Sequence, residues 1–228
     1  MENLSRLELI IEKDKIDKIK EKNIILIGIG GVGGYTFETL VRTGIENITV
    51  VDGDKFEESN LNRQVLSTLE TINKNKTDIA EIRAKSINPK INIKKITKVL
   101  TKENIKEINF KEFDYVIDAC DTIEIKKEII RICTKNNIKF ISCMGTGNKM
   151  NPQKLEITTL DKTSYDPIAK ILRKMVKEER IKGKIYVVAS TEKPIKTNTT
   201  IIGSNAFVPA AAGILLTSYV INDIVGEI

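Results

Sequence analysis

Gly28, Gly30, Gly31 and Gly33 stand in G-I-G-G-V-G directly after the apolar run Ile24 to Ile27. Glycines at this spacing let the backbone approach a phosphate, and a helix beginning there turns its N–H groups toward the anion. Asp52 follows about twenty residues later, where a carboxylate at a strand tip can accept hydrogen bonds from a ribose. The next stretch, D-G-D-K-F-E-E-S-N-L-N-R-Q, crowds Asp54, Asn60, Asn62, Arg63 and Gln64 into one polar loop, and Lys76 comes thirteen residues after Arg63. A guanidinium offers a fork for phosphate oxygens and a lysine adds a mobile point charge. Asp118 and Asp121 follow in Y-V-I-D-A-C-D-T. Asp121 suits a Mg²⁺ ion beside a nucleotide triphosphate, or the cap of the next helix, and the two roles are compatible. A glycine turn alone can serve packing. The Arg63 and Lys76 pair goes beyond what a dinucleotide site needs.

The rest of the composition narrows the chemistry. The 228 residues contain no histidine, which removes imidazole bases and the usual metal ligands. Any reaction must rest on Asp, Arg, Lys and backbone N–H groups. Cys120, Cys133 and Cys143 form no C-x-x-C pair, so neither a disulfide framework nor a thiolate zinc site is supported. They read as small buried hydrophobes on strands or within a helix. The net charge of +6 fits an anionic partner and equally fits a lysine-rich solvated surface. Met1 to Asp17 lacks the apolar core of a secretory signal, so a cytoplasmic location is expected. Ala206 to Ile221 is densely apolar but short for a membrane span and includes Pro209 and Gly213. It reads as a buried terminal helix, and no membrane span is expected.

The elements that must position these residues alternate. A helix over 13–21 precedes the strand ending at Ile27, and a second helix runs from the glycine turn to Thr43, closed by Gly44. Strands are expected at 48–51, 91–99, 115–117 and 138–143, with helices over 76–87, 101–109 and 123–136 between them. Beyond the glycine-bearing loop M-G-T-G-N the pattern changes to a strand at 155–160, a Lys/Arg-rich helix over 166–181 and a strand at 185–189. Arg173, Lys177 and Arg180 share one face of that helix by spacing, a candidate nucleic-acid contact or a solvated face. The fold class is α/β: a Rossmann-like nucleotide-binding domain with a largely parallel sheet flanked by helices. The C-terminal third extends it by additional strands and a helix. One domain is expected over 1–228, with an N-terminal helical segment (1–22), a nucleotide-binding core (23–145) and a C-terminal extension (146–228).

Taken together, G-I-G-G-V-G, V-D-G-D, S-N-L-N-R-Q, Lys76 and D-A-C-D-T resemble the ThiF/MoeB/HesA superfamily of ubiquitin-activating-type adenylating enzymes, over roughly Arg6 to Cys143. The resemblance implies ATP on Gly28, Gly30, Gly31 and Gly33, a ribose on Asp52, polar nucleotide contacts from Asn60, Arg63 and Gln64, a phosphate lysine at Lys76 and Mg²⁺ on Asp121. Asp54 belongs to the same set. Arg6 matches an N-terminal arginine that some members donate across a dimer interface, which implies a homodimer. The start R-L-E-L-I-I-E-K, the crest M-G-T-G-N-K with Asp166-Pro167, and S-T-E-K-P resemble the tRNA threonylcarbamoyladenosine dehydratase branch.

That branch implies ATP-dependent closure of the modified adenosine, with tRNA as partner and sulfur-transfer proteins as possible further partners. Activators of sulfur-carrier proteins often bear two C-x-x-C pairs, and this chain has neither. Adenylation of a small sulfur-carrier protein's C-terminus is the alternative acceptor chemistry. A nicotinamide-dependent oxidoreductase, or a nucleotide-binding module without catalysis, is the reading from another class.

Overall fold

The computed structural model describes residues 4–227. Short Ile/Val-rich runs become the inner strands, buried on both faces as a parallel sheet between helices requires, while the more polar third and sixth strands form the half-exposed edges. The strands are β1 (Asn23–Ile27), β2 (Asn47–Val51), β3 (Asn92–Ile96), β4 (Tyr115–Asp118), β5 (Phe140–Cys143), β6 (Leu155–Thr159) and β7 (Tyr186–Ser190). The seven form one sheet in the order β3-β2-β1-β4-β5-β7-β6, parallel except for β6, which pairs antiparallel with β7. The chain leaves β1 toward β2 on one side and returns through β4 on the other. Ligands of such sheets bind outside the carboxyl ends of the strands at this reversal.

Because successive side chains on a strand point to opposite faces, Ile24 and Leu26 enter one core while Ile25 and Ile27 enter the other. The first face is covered by α2 (Lys13–Glu21), α3 (Gly31–Arg42), α4 (Lys76–Ile87) and α7 (Phe207–Val225), through residues such as Ile19, Phe37, Ala80 and Leu216. The second is covered by α5 (Ile123–Asn136) and α6 (Pro167–Glu178), through Ile129, Ile130, Leu172 and Met175. Each buried Ile, Leu, Phe or Met side chain among these contributes about 1.5–3 kcal/mol.

The helix α7 is long and apolar enough to cross a membrane. Here it lies against α3, and the contact explains its composition. A Cβ on Gly213 would collide with the Val32 carbonyl, so a residue without one lets the helices meet. Thr36 Oγ1 donates to the Gly213 carbonyl and Thr217 Oγ1 donates to that of Thr36.

Several boundaries differ from the sequence reading. The third strand ends at Ile96 rather than 99. The helix expected over 101–109 is a single 3-10 turn, Asn104–Glu107: Asn104 Oδ1 accepts from the Thr101 N–H while its Nδ2 donates to the Val99 carbonyl, fastening the segment as a turn. The basic helix stops at Glu178, because Arg180 adopts φ 53° and Ile181 N–H donates back to the Val176 carbonyl, a left-handed helix end. Arg180 is therefore not on the helical face it was expected to share with Arg173 and Lys177.

Candidate functional site

The glycines do different jobs. Gly28 has φ +90° and its missing Cβ faces the Ala119 carbonyl at 2.9 Å, while a Cβ on Gly33 would collide with the Gly28 carbonyl. These two make the turn possible. Around Gly30 a Cβ would find only the Gln64 amide nitrogen, at 4.0 Å, so this position opens a space beside the first N–H groups of α3. The opening belongs to a cleft of about 480 Å³ over the carboxyl ends of β1, β2 and β4.

Gly28, Gly30, Gly31, Asp52, Asp54, Asn60, Arg63, Gln64, Lys76 and Asp121 all line this cleft, so one cavity gathers residues spread over almost a hundred positions of sequence. Gly33 sits behind it, in the turn. Asp52 Oδ2 accepts from the Ile29 N–H at 2.7 Å and Oδ1 from the Asp54 N–H at 2.9 Å. Burial pushes its carboxyl above the ordinary aspartate range, against the opposing pull of Lys76 and these two N–H groups. Lys76 is buried, with its ammonium 3.0 Å from Asp54 Oδ2 and 3.9 Å from Asp52 Oδ1. Asp54 is the exposed member of this group, so it can yield the ammonium to an incoming phosphate.

Arg63 donates to the Ser59 carbonyl and Asn62 Oδ1, and among the described residues no carboxylate neutralises it. Gln64 is buried and its Oε1 has no partner, an acceptor waiting in a polar wall. Asn60 spends its side chain locally: Oδ1 accepts from the Glu57 N–H and Nδ2 reaches Ser59, which holds the 3-10 turn Glu58–Asn60 beneath the cleft. Asp121 is exposed on the opposite wall, and among the described residues no cation pairs with it. It is not the helix cap either, since Thr122 occupies that position without a side-chain cap bond. Arg6 stands apart, exposed on α1 (Ser5–Glu8) and outside the cleft of its own chain.

Cys120 corrects the sequence reading, for it lies in the loop after β4 and lines the cleft instead of a strand or helix. Its thiol is nonetheless a poor nucleophile. Burial and the neighbouring Asp118 push it well above the usual range, and Sγ–H donates to Asp118 Oδ1 at 3.0 Å. Burial pushes Cys133 and Cys143 up to about 12.

The sequence gives no role to two lysines, Lys126 and the Lys149 that ends M-G-T-G-N-K. Lys126 lies under the cleft, almost wholly buried, with its ammonium 3.0 Å from Asp118 Oδ2 and donating to the Cys143 carbonyl at 2.7 Å. Burial alone would lower it, but Asp118 more than compensates and holds it charged. Lys149 donates to the Gly145 carbonyl at 2.7 Å, with Asp166 Oδ2 at 3.7 Å. Asp166 itself accepts from Gly145 N–H and, through its other oxygen, from Ala169 N–H, so one carboxylate caps α6 and pins the crest Gly145–Gly147 that forms the far wall. The glycines of M-G-T-G-N were the available signal for that wall. Nothing local marks Lys126.

The profile of the ThiF family matches residues 2–223. The tRNA threonylcarbamoyladenosine dehydratase of Bacillus subtilis is 34% identical over 245 residues, covering 100% of this chain and 96% of the relative. The molybdopterin-synthase adenylyltransferase of Haemophilus influenzae is 33% identical over 167 residues, covering 73% of this chain and 68% of that protein. Among solved structures, the E. coli tRNA N6-threonylcarbamoyladenosine dehydratase in complex with ATP superposes with a TM-score of 0.93 at 27% identity, covering 99% of this chain and 95% of that one. With a glycine turn, strand-tip aspartate and Arg/Lys pair converging on one cleft, and with matches of this extent, the chain belongs to the ThiF family.

Proposed function

We propose that this protein is an ATP-dependent tRNA threonylcarbamoyladenosine dehydratase. The observation that carries the reading is the end-to-end match to a dehydratase over 100% of the chain, joined to a cleft whose lining suits a nucleoside triphosphate. ATP is the co-substrate. The carboxylate of the modified adenosine attacks the α-phosphorus, pyrophosphate leaves, and attack within the acyl-adenylate closes the ring and releases AMP.

The chain's own groups divide this work. The N–H groups at the start of α3 and the cationic Arg63 and Lys76 face the phosphates, where charge grows during attack. Asp52 and Gln64 supply acceptors for the nucleoside. The raised thiols of Cys120, Cys133 and Cys143 argue against a thioester route.

Among the described residues no three Asp, Glu, Cys or His side chains gather into a metal cage. Asp121, a single unpaired carboxylate on the cleft wall, fits a Mg²⁺ that arrives on the triphosphate and keeps most of its waters. When bound, that ion would neutralise phosphate charge. Arg6 cannot serve its own cleft, so we read it as the contribution of a second copy in a cytoplasmic homodimer built from single-domain chains. Interaction with sulfur-transfer proteins is a further expectation of this reading.

Adenylation of a sulfur-carrier C-terminus is the second reading, favoured by the Haemophilus adenylyltransferase match. Incubating the protein with labelled pyrophosphate, ATP and each acceptor separately distinguishes them. AMP formation that requires modified tRNA is the expected result, and AMP formation driven only by a carrier protein would overturn the assignment.

A further inference from the structure

The S-T-E-K-P segment has no part in the nucleotide cleft, yet it is fastened to the cleft's far wall. Glu192 accepts from the Met150 and Asn151 N–H groups at 3.0 and 2.9 Å, and the Ile195 N–H donates to the Asn148 carbonyl at 2.7 Å. Farther along, the Gly203 N–H donates to Asn148 Oδ1, and Ile202 and Ser204 line the cleft. Fixed in this way, Lys193 sets its ammonium 5.1 Å from the centre of the Tyr165 ring.

Tyr165 itself is unusual. Its φ is +56°, a left-handed conformation that a bulky side chain adopts at a cost of about 1–3 kcal/mol. The neighbours enforce it: Thr163 is held by Arg173, and Asp166 is tied to both α6 and the crest. The enforced geometry leaves Tyr165 54% exposed. Among the described residues its hydroxyl takes part in no hydrogen bond, and neither Lys193 nor Lys196 pairs with a carboxylate. Met150, beside Glu192, and Ile202, on the cleft lining, are 54% and 71% exposed and add apolar surface to these loops.

We propose that Tyr165 and Lys193 form a platform on which an unpaired RNA base stacks beside the modified adenosine, an inference that rests on the tRNA reading above. Single-stranded RNA is held by stacking bases on aromatic faces with cations for the adjoining phosphates, and an exposed ring with the unpaired Lys193 against it offers both. Lys193, exposed, moves from the ring to the phosphate when a base arrives. An extended carrier-protein tail would instead need a strand edge, and residues 191–205 contain no strand.

The experiment compares wild type, Tyr165→Ala, Tyr165→Phe and Lys193→Gln on threonylcarbamoyladenosine-bearing tRNA, and on the same tRNA with an abasic nucleotide next to the modified base. Tyr165→Ala should raise the KM for tRNA about tenfold with kcat and the KM for ATP unchanged, Tyr165→Phe should restore it, and the effect should vanish on the abasic substrate. A KM for tRNA unaltered in Tyr165→Ala, an equal loss in Tyr165→Phe, an effect that persists on the abasic substrate, or a shift confined to ATP would overturn the platform. Wild type that turns over a carrier protein and no tRNA would overturn the underlying reading instead.

Discussion

The two walls of the cleft are built on opposite principles. On the glycine side the charged groups already engage their neighbours: Asp52 takes the Ile29 N–H, Lys76 sits with Asp54, and Arg63 leans on the Ser59 carbonyl. On the crest side the loops are pinned from behind by Asp166, Lys149 and Glu192, while their outward groups, Tyr165, Lys193 and Lys196, meet solvent. The contrast teaches that the nucleotide wall is preorganised and needs only to exchange internal partners for phosphates. The crest wall presents rigid, unpaired groups to something larger.

The floor that joins the walls should be the least forgiving. Lys126→Met leaves Asp118 buried without its cation and should cost about 3–5 kcal/mol of stability, read as a lower denaturation midpoint. An unchanged midpoint would show that the two walls do not depend on the pair.

At the phosphate site, Arg63→Ala on the glycine side and Asp121→Ala across from it should each lower kcat by about a hundredfold or more, since a well-placed charged group contributes about 3 kcal/mol to the transition state. Near-normal turnover in either variant would remove that residue from the reaction and sharpen the division between the walls.

Asp52 links the glycine side to pH. Its folded pKa is raised, so the native state binds the proton more tightly than the unfolded chain does. Its own contribution to stability therefore falls as pH rises from about 4 through the folded value, and Asp52→Asn should remove that slope. Ribose binding needs the ionised form. ATP affinity should weaken on acidification at a higher pH than an ordinary aspartate would give, measured by calorimetric titration.

The smallest effect concerns the basic helix. Arg173 donates to the Thr163 carbonyl and hydroxyl, so Arg173→Ala should cost about 1–2 kcal/mol of stability and leave the salt dependence of tRNA binding unaltered. A flattened salt slope would return this helix to the RNA-binding surface.

Legibility in the sequence follows the same division. The placement of Gly28, Gly30, Gly31, Asp52, Arg63, Lys76 and Asp121 at one cleft is legible because they follow strand ends or open helices at local spacing, and the parallel sheet then brings those ends together. Asn60 was readable as a cleft residue, but its use in holding a 3-10 turn was not. The crest wall depends on contacts between segments far apart in the chain, such as Glu192 with Met150, and on backbone states such as the left-handed Tyr165 and Arg180. Helical spacing placed Arg180 beside Lys177, and a helix end two residues earlier undid it. Cys120 reads as a core residue because Ala119 and Cys120 prolong the apolar run of β4, whereas the strand ends at Asp118. The buried lysines 126 and 149 resemble every other lysine of a lysine-rich chain until their carboxylates close on them.

The central claim is that this cleft dehydrates a modified adenosine in tRNA, and mass analysis of nucleosides tests it most directly. Threonylcarbamoyladenosine-bearing tRNA incubated with the protein and Mg-ATP should yield a nucleoside lighter by one water, together with AMP, and the Arg63→Ala protein should leave the starting nucleoside. Unchanged nucleoside mass with active wild-type protein and ATP would contradict the account.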